Sequence, residues 1–396
     1  MQILQYRIDN KSGNRLSALG FGCLRFPRTL TIDVGKTEKL IIEAVARGVN
    51  YFDTAYVYGG SEAVLGEILH RNGLREQVYI ATKLPHGQCS KYEDFDRIFD
   101  DELARLKTDY IDYYLIHNIG DRAAWDALVD LGIETWLSEK KASGAVKYFG
   151  FSFHGAQAGF FDLLDAYEWD FCQIQYNYMN ENYQAGREGL RRAHEKGLSV
   201  IIMEPLLGGK LATGLPKDAV RLFSEKYADR TAAEWALRWL YNQPEVTVVL
   251  SGMNTLQQLE DNLQTTENAP PGCLSDAETQ TIETVKEIIR RVYKVPCTGC
   301  NYCMPCPKNV NIPGCFAAYN SRYASGYITG MMQYVTGTSA LKRGRAMLAS
   351  NCVQCGACEK KCPQGIRVAN ELKTVRRSME PFWFSAAMRV IRKFFG

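Results

Sequence analysis

Two cysteine runs constrain this chain more than anything else in it: Cys297-x2-Cys300-x2-Cys303-x2-Cys306-Pro307 and Cys352-x2-Cys355-x2-Cys358-x3-Cys362-Pro363. Three thiolates at two-residue spacing can hold three corners of an iron-sulfur cubane, and the fourth, just before a proline, is expected to reach across to the other cluster. Two runs therefore imply two [4Fe-4S] clusters and traffic in single electrons. A structural zinc site is the alternative, but zinc motifs set two close pairs apart and do not string four cysteines together.

The second run is similar to the bacterial ferredoxin spacing residue for residue. The first has two residues, not three, before its last cysteine, which leaves its fourth ligand open. The ferredoxin pattern implies one cluster on Cys297, Cys300, Cys303 and Cys362 and another on Cys352, Cys355, Cys358 and Cys306. Cys23, Cys89, Cys172, Cys273 and Cys315 stand outside the runs and read as small core hydrophobes, with Cys315 set apart only by its place between the two motifs. Thirteen cysteines without a basic and apolar leader point to reduced thiols in the cytoplasm, where metal ligation is the expected use.

The 396 residues exceed one ordinary domain, yet a single α/β barrel absorbs about 250. Eight short β-branched or aromatic runs, SALGFGC, NYFDTA, VYIATK, DYYLIH, KYFGFS, CQIQYN, SVIIME and TVVLSG, alternate with amphipathic stretches such as Val34 to Arg47, Ala63 to His70, Asp94 to Leu106 and Thr231 to Tyr241. The expected fold class is α/β: a (β/α)8 TIM barrel followed by a small, mostly α-helical ferredoxin-like iron-sulfur domain. An open doubly wound sheet would want Gly-x-Gly-x-x-Gly after its first strand, and Gly20-Phe21-Gly22-Cys23 does not fit. The expected divisions are 1–270 for the barrel, 271–380 for the cluster domain, joined near Pro270-Pro271-Gly272, and 381–396 for an amphipathic terminal helix. Phe316 to Leu348 reads as helical, broken by Gly326, Gly330 and Gly337.

A formal net charge of +3 with the two signs interspersed carries no footprint of a nucleic-acid binder. No run of eighteen apolar residues suggests a membrane span. On the terminal helix Phe384, Ala387, Met388, Ile391 and Phe395 share one face and Arg389, Arg392 and Lys393 lie on others, which suits docking on the protein itself or contact with a membrane surface.

In a barrel, chemistry sits where strands end. Four polar residues fall at such ends: Asp53 and Tyr58 after the second strand, Lys83 at the end of the third and His117 at the end of the fourth. Here the chain, from about Arg15 to Leu263, resembles the aldo/keto reductases, whose catalytic residues are an Asp, Tyr, Lys and His on these strand ends. The resemblance implies that Tyr58 is the proton donor to a substrate carbonyl, that Lys83 eases loss of its proton, that Asp53 holds Lys83, and that His117 orients the carbonyl. Singly, each residue has a plainer reading as a loop aromatic, a helix cap, a solvated charge or a core histidine.

The cofactor side departs from the family. Ser152, in Gly150-Phe151-Ser152-Phe153-His154, is kept where the family has Gly-x-Ser-Asn, and His154 stands one residue beyond the missing amide. Gln173 matches the remaining carboxamide ligand, and Met203 falls where many members stack an aromatic on the nicotinamide. Leu206 to Leu211, with Gly208, resembles the loop over the pyrophosphate. Gly252, Asn254, Gln258 and Asn262 belong to the segment that opens the last barrel helix, an anion site by its free amides. Where NADPH-selective members carry Lys and Arg in this segment, the chain has Gly252 and Gln258. NAD(H), NADP(H) and FMN all remain as cofactors.

Members with this ferredoxin-like extension form a recognisable bacterial and archaeal group, similar in Pro296-Cys297-Thr298-Gly299-Cys300 and Ile312-Pro313. The combination implies an oxidoreductase acting on a small carbonyl or alcohol, its barrel linked to the clusters, with an external redox partner as a further candidate. The alternatives are an electron carrier with a retired barrel, a flavin enzyme using the barrel pocket, and clusters serving as structural staples.

Overall fold

Each of the eight runs forms a strand, and their burial explains why they read so clearly. Strands of a closed parallel sheet are covered on both faces, so they appear as nearly continuous apolar stretches. In the computed structural model, which describes residues 4–340 and 346–388, a short antiparallel hairpin, β1 (Tyr6–Ile8) and β2 (Arg15–Ser17), precedes the barrel. The barrel strands are β3 (Leu19–Gly22), β4 (Tyr51–Asp53), β5 (Tyr79–Leu84), β6 (Ile111–Ile119), β7 (Val146–Phe153), β8 (Phe171–Gln175), β9 (Ser199–Met203) and β10 (Val246–Ser251). All neighbours pair in parallel and β10 closes against β3. The amphipathic stretches form helices Val34–Ala46, Ser61–Arg71, Glu93–Leu106 and Ala232–Tyr241.

Alternation decides which side chains face the barrel axis. On β7, Phe151 and Phe153 turn outward against Phe160, so Gly150 and Ser152 turn inward. Tyr51, Tyr113, Phe171, Ile201, Val248 and Leu250 fill the interior. Gly20 is small by necessity, since a Cβ there would lie 2.6 Å from Val248 Cγ1. The hairpin closes one end: the Asp9 carboxylate accepts from the Tyr113 hydroxyl and from Ser199 Oγ, each at 2.8 Å. Ser199 opens its strand, so the plug sits at the strands' N-terminal end. The opposite end is left to the βα loops.

The chain divides into two compact units, one built from residues up to Leu206 plus Ala233–Asp276, the other from Leu207–Ala232 plus Ala277 onward. The stretch following β9 therefore belongs with the cysteine-bearing unit, where Lys210 Nζ donates to the Cys297 carbonyl and Arg230 pairs with Glu278 at 2.5 Å. Helices Ile312–Ser325, Tyr327–Gly337 and Val368–Met379 supply this unit's core, with Val310, Ile312, Phe316, Tyr334, Leu372, Val375 and Phe384 buried and six of the run cysteines packed against them.

The expected break at Gly326 is present, at φ 99°. Gly330 does not break the helix but lies within it: a Cβ there would sit 2.6 Å from Arg322 Cα, so its role is close approach of two helices. Gly337 ends its helix, and 341–345 lie outside the described residues. Of the expected terminal helix, Phe384 and Met388 join the core with Ala387 against it, while Arg389, Ile391, Arg392, Lys393 and Phe395 lie outside the described residues. No described helix is long and apolar enough to cross a membrane.

Candidate active site and metal centres

At the open end of the barrel, Lys83 is 1 % exposed, and its ammonium donates to Asp53 Oδ1 at 2.7 Å and to the Thr54 carbonyl at 2.6 Å. The other Asp53 oxygen accepts from Gln173 Nε2 at 2.7 Å. A buried pair survives desolvation only when its remaining hydrogen-bonding groups are satisfied, and Gln173 and Thr54 do that here. Lys83 Nζ lies 5.2 Å from the centre of the Tyr58 ring, and that ring meets His117 edge to face at 5.8 Å. The four residues expected at the strand ends therefore stand together, with Tyr58 the more open of them on its loop.

Burial, then the Lys83 charge and the neighbouring His154 and His86, holds the His117 imidazole well below the ordinary histidine range. His117 is thus neutral at physiological pH and fit to hydrogen-bond without carrying charge. His86 Nδ1 meets the His117 carbonyl at 2.8 Å. Its place three residues after Lys83 could have marked it in the sequence.

Ser152 faces inward opposite Gln173 in the β7–β8 register, and its hydroxyl accepts from the Asn118 amide at 2.8 Å. His154 follows on the same face. Gln184 donates to Gln175 Oε1 at 3.1 Å, so its own oxygen is the acceptor for His154 Nδ1 at 3.2 Å. His154 Nδ1 therefore carries the proton and Nε2 is left as an acceptor. Burial drives its pKa down to about 4. No residue pattern announced Gln184, because its partner lies 30 positions away. The loops are brought together by glycines: a Cβ on Gly155 would collide with the Gly120 carbonyl.

Met203 ends β9, partly buried against the barrel interior. Leu206 closes the barrel unit, whereas Gly208, at φ 69°, already belongs to the other. At the start of helix Leu256–Glu267, Thr255 accepts from Gln258 N, and Gln258 Oε1 accepts from Asn254 N at 2.9 Å, so this segment caps itself. Asn262 donates to Ser251 Oγ at 2.9 Å. Gly252 leaves room filled by Arg25, whose Cβ and Cδ would lie 3.1 Å from a Cβ there. Paired inward hydroxyl and carboxamide groups, Ser152 beside Gln173, suit the carboxamide of a nicotinamide, and the self-capped segment brings no lysine of its own to a phosphate.

In the second unit the cysteine runs fold as two copies of one local structure. Left-handed residues flank the middle cysteine of each, Gly299 and Asn301 around Cys300 and Gln354 and Gly356 around Cys355. These reversals turn successive cysteines toward one side. Three residues after each fourth cysteine stands another left-handed residue, Asn309 or Gly365. Helices then begin at Ile312 and Val368, the same distance on in both copies.

One cavity is lined by Cys306, Cys352, Cys355 and Cys358, the other by Cys297, Cys300 and Cys362, and Cys303 borders both. The short spacing before Cys306 thus does not keep it from the cavity of the second run. None of the eight is joined in a disulfide. Among the described residues no three His, Cys, Asp or Glu groups close on a single ion. A ring of thiols around a wider space suits a cubane.

Two further observations fit such a group. Thr298 Oγ1 is buried without a protein partner beside the Cys297 cavity, and Gln354 N donates to Cys352 Sγ at 3.4 Å. Burial and then the adjacent Cys297, Cys300 and Cys362 push the Cys303 thiol up to about 12, a cost that a cationic iron core reverses. Cys315 is buried near the Met347 carbonyl, outside both cavities.

Barrel, polar strand ends and thiol rings together define a redox protein. A model of the aldo/keto reductase family matches residues 18–287, and one of the 4Fe-4S dicluster domain matches 296–366. The chain belongs to the aldo/keto reductase family, as an oxidoreductase with a ferredoxin-type iron-sulfur domain. Among its relatives, the "uncharacterized oxidoreductase YrpG" of Bacillus subtilis is 28 % identical over 67 % of this chain and 91 % of its own length. The L-glyceraldehyde 3-phosphate reductase of Escherichia coli strain K12 is 25 % identical over 67 % and 88 %. The structure of aldo-keto reductase AKR11C1 from Bacillus halodurans, holo form, is similar with a TM-score of 0.59 and 27 % identity, covering 71 % of this chain and 96 % of that one.

Proposed function

We propose that this oxidoreductase interconverts a small carbonyl and its alcohol at the open end of the barrel and exchanges the electrons with two [4Fe-4S] clusters in the second unit. The reading is carried by the buried Lys83–Asp53 pair set against the Tyr58 ring. When bound, NAD(H) or NADP(H) supplies two electrons as hydride, a flavin such as FMN divides such a pair, and each cubane carries one electron.

Tyr58 Oη donates the proton to the substrate oxygen as the carbonyl is reduced. A free tyrosine, with a pKa of about 10, is a poor acid at neutral pH. The Lys83 ammonium favours the phenolate that results, Asp53 holds Lys83 in place, and Gln173 fixes Asp53. Neutral His117 donates a hydrogen bond to the substrate oxygen and sets its angle to Tyr58. Ser152, Gln173 and His154 hold the cofactor's amide end. Cys297, Cys300, Cys303 and Cys362 ligate one cluster, and Cys352, Cys355, Cys358 and Cys306 the other. A cytoplasmic setting keeps these thiols reduced.

Tyr58→Phe tests the reading. Loss of the donor lowers carbonyl turnover by roughly 10²–10⁴-fold, with cluster absorbance unchanged. Undiminished turnover removes Tyr58 from the chemistry. Electron transfer that persists in a variant, and a parent, both inert toward carbonyls points to a carrier.

A further inference from the structure

The charge of the chain is segregated, and its net value of +3 conceals this. Residues 296–396 carry fourteen Lys and Arg against three Asp and Glu, a formal +11, which leaves −8 on residues 1–295. Ligation by thiolates lowers the first figure only in part, and the unit remains basic. Two of its three acidic residues do little to neutralise the surface. Glu359 accepts from the Ala369 amide at 2.9 Å, and Glu380 accepts from the Tyr334 hydroxyl and from the Ser350 amide, so both are spent on the fold.

The cations concentrate beside one group of thiols. Cys355 is the one exposed cysteine of the eight, and Val353 next to it is 58 % exposed. Lys308 and Lys361 line the same cavity as Cys306, Cys352, Cys355 and Cys358. Lys308, Lys360, Lys361 and Arg367 are all exposed, and no carboxylate among the described residues pairs with them. Exposed charges normally gain from an interspersed surface of both signs. A cluster edge with a small apolar centre and an unpaired basic rim has instead the anatomy of a transient, electrostatically steered docking site.

We propose that the face around Cys355, rimmed by Lys308, Lys360, Lys361 and Arg367, docks an acidic one-electron carrier protein. The inference rests on the cluster assignment of the preceding section and adds the partner's charge and its point of contact. Each encounter moves one electron between the carrier's redox centre and the nearby cluster, so that one is oxidised as the other is reduced. Acidic carriers complement the rim, and their small interfaces exchange quickly, as single-electron delivery requires. The opposite sign of the barrel unit keeps the complementary surface on the cluster side.

The test uses the holoprotein, prepared anaerobically, with an acidic plant-type [2Fe-2S] ferredoxin as probe and a basic c-type cytochrome as control. Binding is read by calorimetry at low and high salt, and cluster content by visible absorbance in every preparation. The ferredoxin is expected to bind and to weaken with salt, and the cytochrome not to bind. Lys308→Gln, Lys360→Gln and Lys361→Gln combined should weaken the ferredoxin by roughly tenfold and flatten the salt dependence. Lys360→Glu alone should weaken it in the same direction.

Equal binding by parent and variants overturns the proposal. So does equal binding of the two carriers, binding to anionic phosphatidylserine vesicles in place of the ferredoxin, or self-association at low salt that occupies this face. Preparations lacking cluster absorbance contradict the cluster assignment itself, a failure distinct from loss of carrier binding.

Discussion

Asp53 does two things at once: it holds Lys83 with one oxygen and Gln173 with the other. The strand-end pattern made the first bond legible, since Asp, Tyr, Lys and His recur in order at ends of consecutive strands. The second was hidden, because Gln173 stands 120 positions away and a glutamine at a barrel mouth signals a ligand as readily as a strut. Gln184 was missed for the same reason, whereas His86, three residues beyond Lys83, carried a signal that went unread. Thr298 offers a sharper test at this scale. A hydroxyl donating to a cluster sulfur favours the more negative, reduced state, so Thr298→Val should lower that cluster's midpoint potential in an EPR-monitored titration. An unchanged potential would mean that the hydroxyl faces elsewhere. For His154, an unfolded histidine protonates near pH 6.5 whereas the folded one waits until about 4. The unfolded state binds more protons in between, so stability present above pH 6.5 is lost as pH falls through that window. In denaturant titrations at pH 7 and pH 5, His154→Gln should lose less stability than the parent, by less than one proton's worth. An unaltered difference would remove His154 from the account.

Among the elements, the eight barrel strands were plain because two-sided burial makes each one apolar throughout, whereas Ser152 and Gln173 were marked by the family resemblance and their shared inward face came from the strand register. Glycines were less legible. Gly326, Gly330 and Gly337 look alike in sequence, but only Gly326 takes a backbone angle that interrupts a helix. Gly330 is a contact surface. Gly330→Ala should therefore overpack against Arg322 and destabilise the second unit by about 1–3 kcal/mol, measured by thermal unfolding followed through cluster absorbance. A neutral substitution would show that the two helices can part without cost. The doubled arrangement of left-handed residues around Cys300 and Cys355 was harder to read, since Gly299, Asn301 and Gly356 suit such angles but Gln354, which completes the second copy, does not announce one.

For the molecule as a whole, the cysteine runs announced the second unit from the outset, whereas its membership did not follow chain order. Residues Leu207–Ala232 leave the barrel sequence and join the cysteine-bearing unit, a long-range association that local pattern cannot register. The division of charge between the units was available in the sequence but lost in the net total. The central claim is that barrel chemistry and cluster reduction are one process. Anaerobic titration of the holoprotein with NADH and, separately, NADPH, followed by visible absorbance and EPR, tests it most directly. Bleaching by one of the nucleotides, with the signal of a reduced cluster, is the predicted result and also names the nucleotide. Clusters that stay oxidised with both nucleotides, yet bleach with dithionite, would contradict the account.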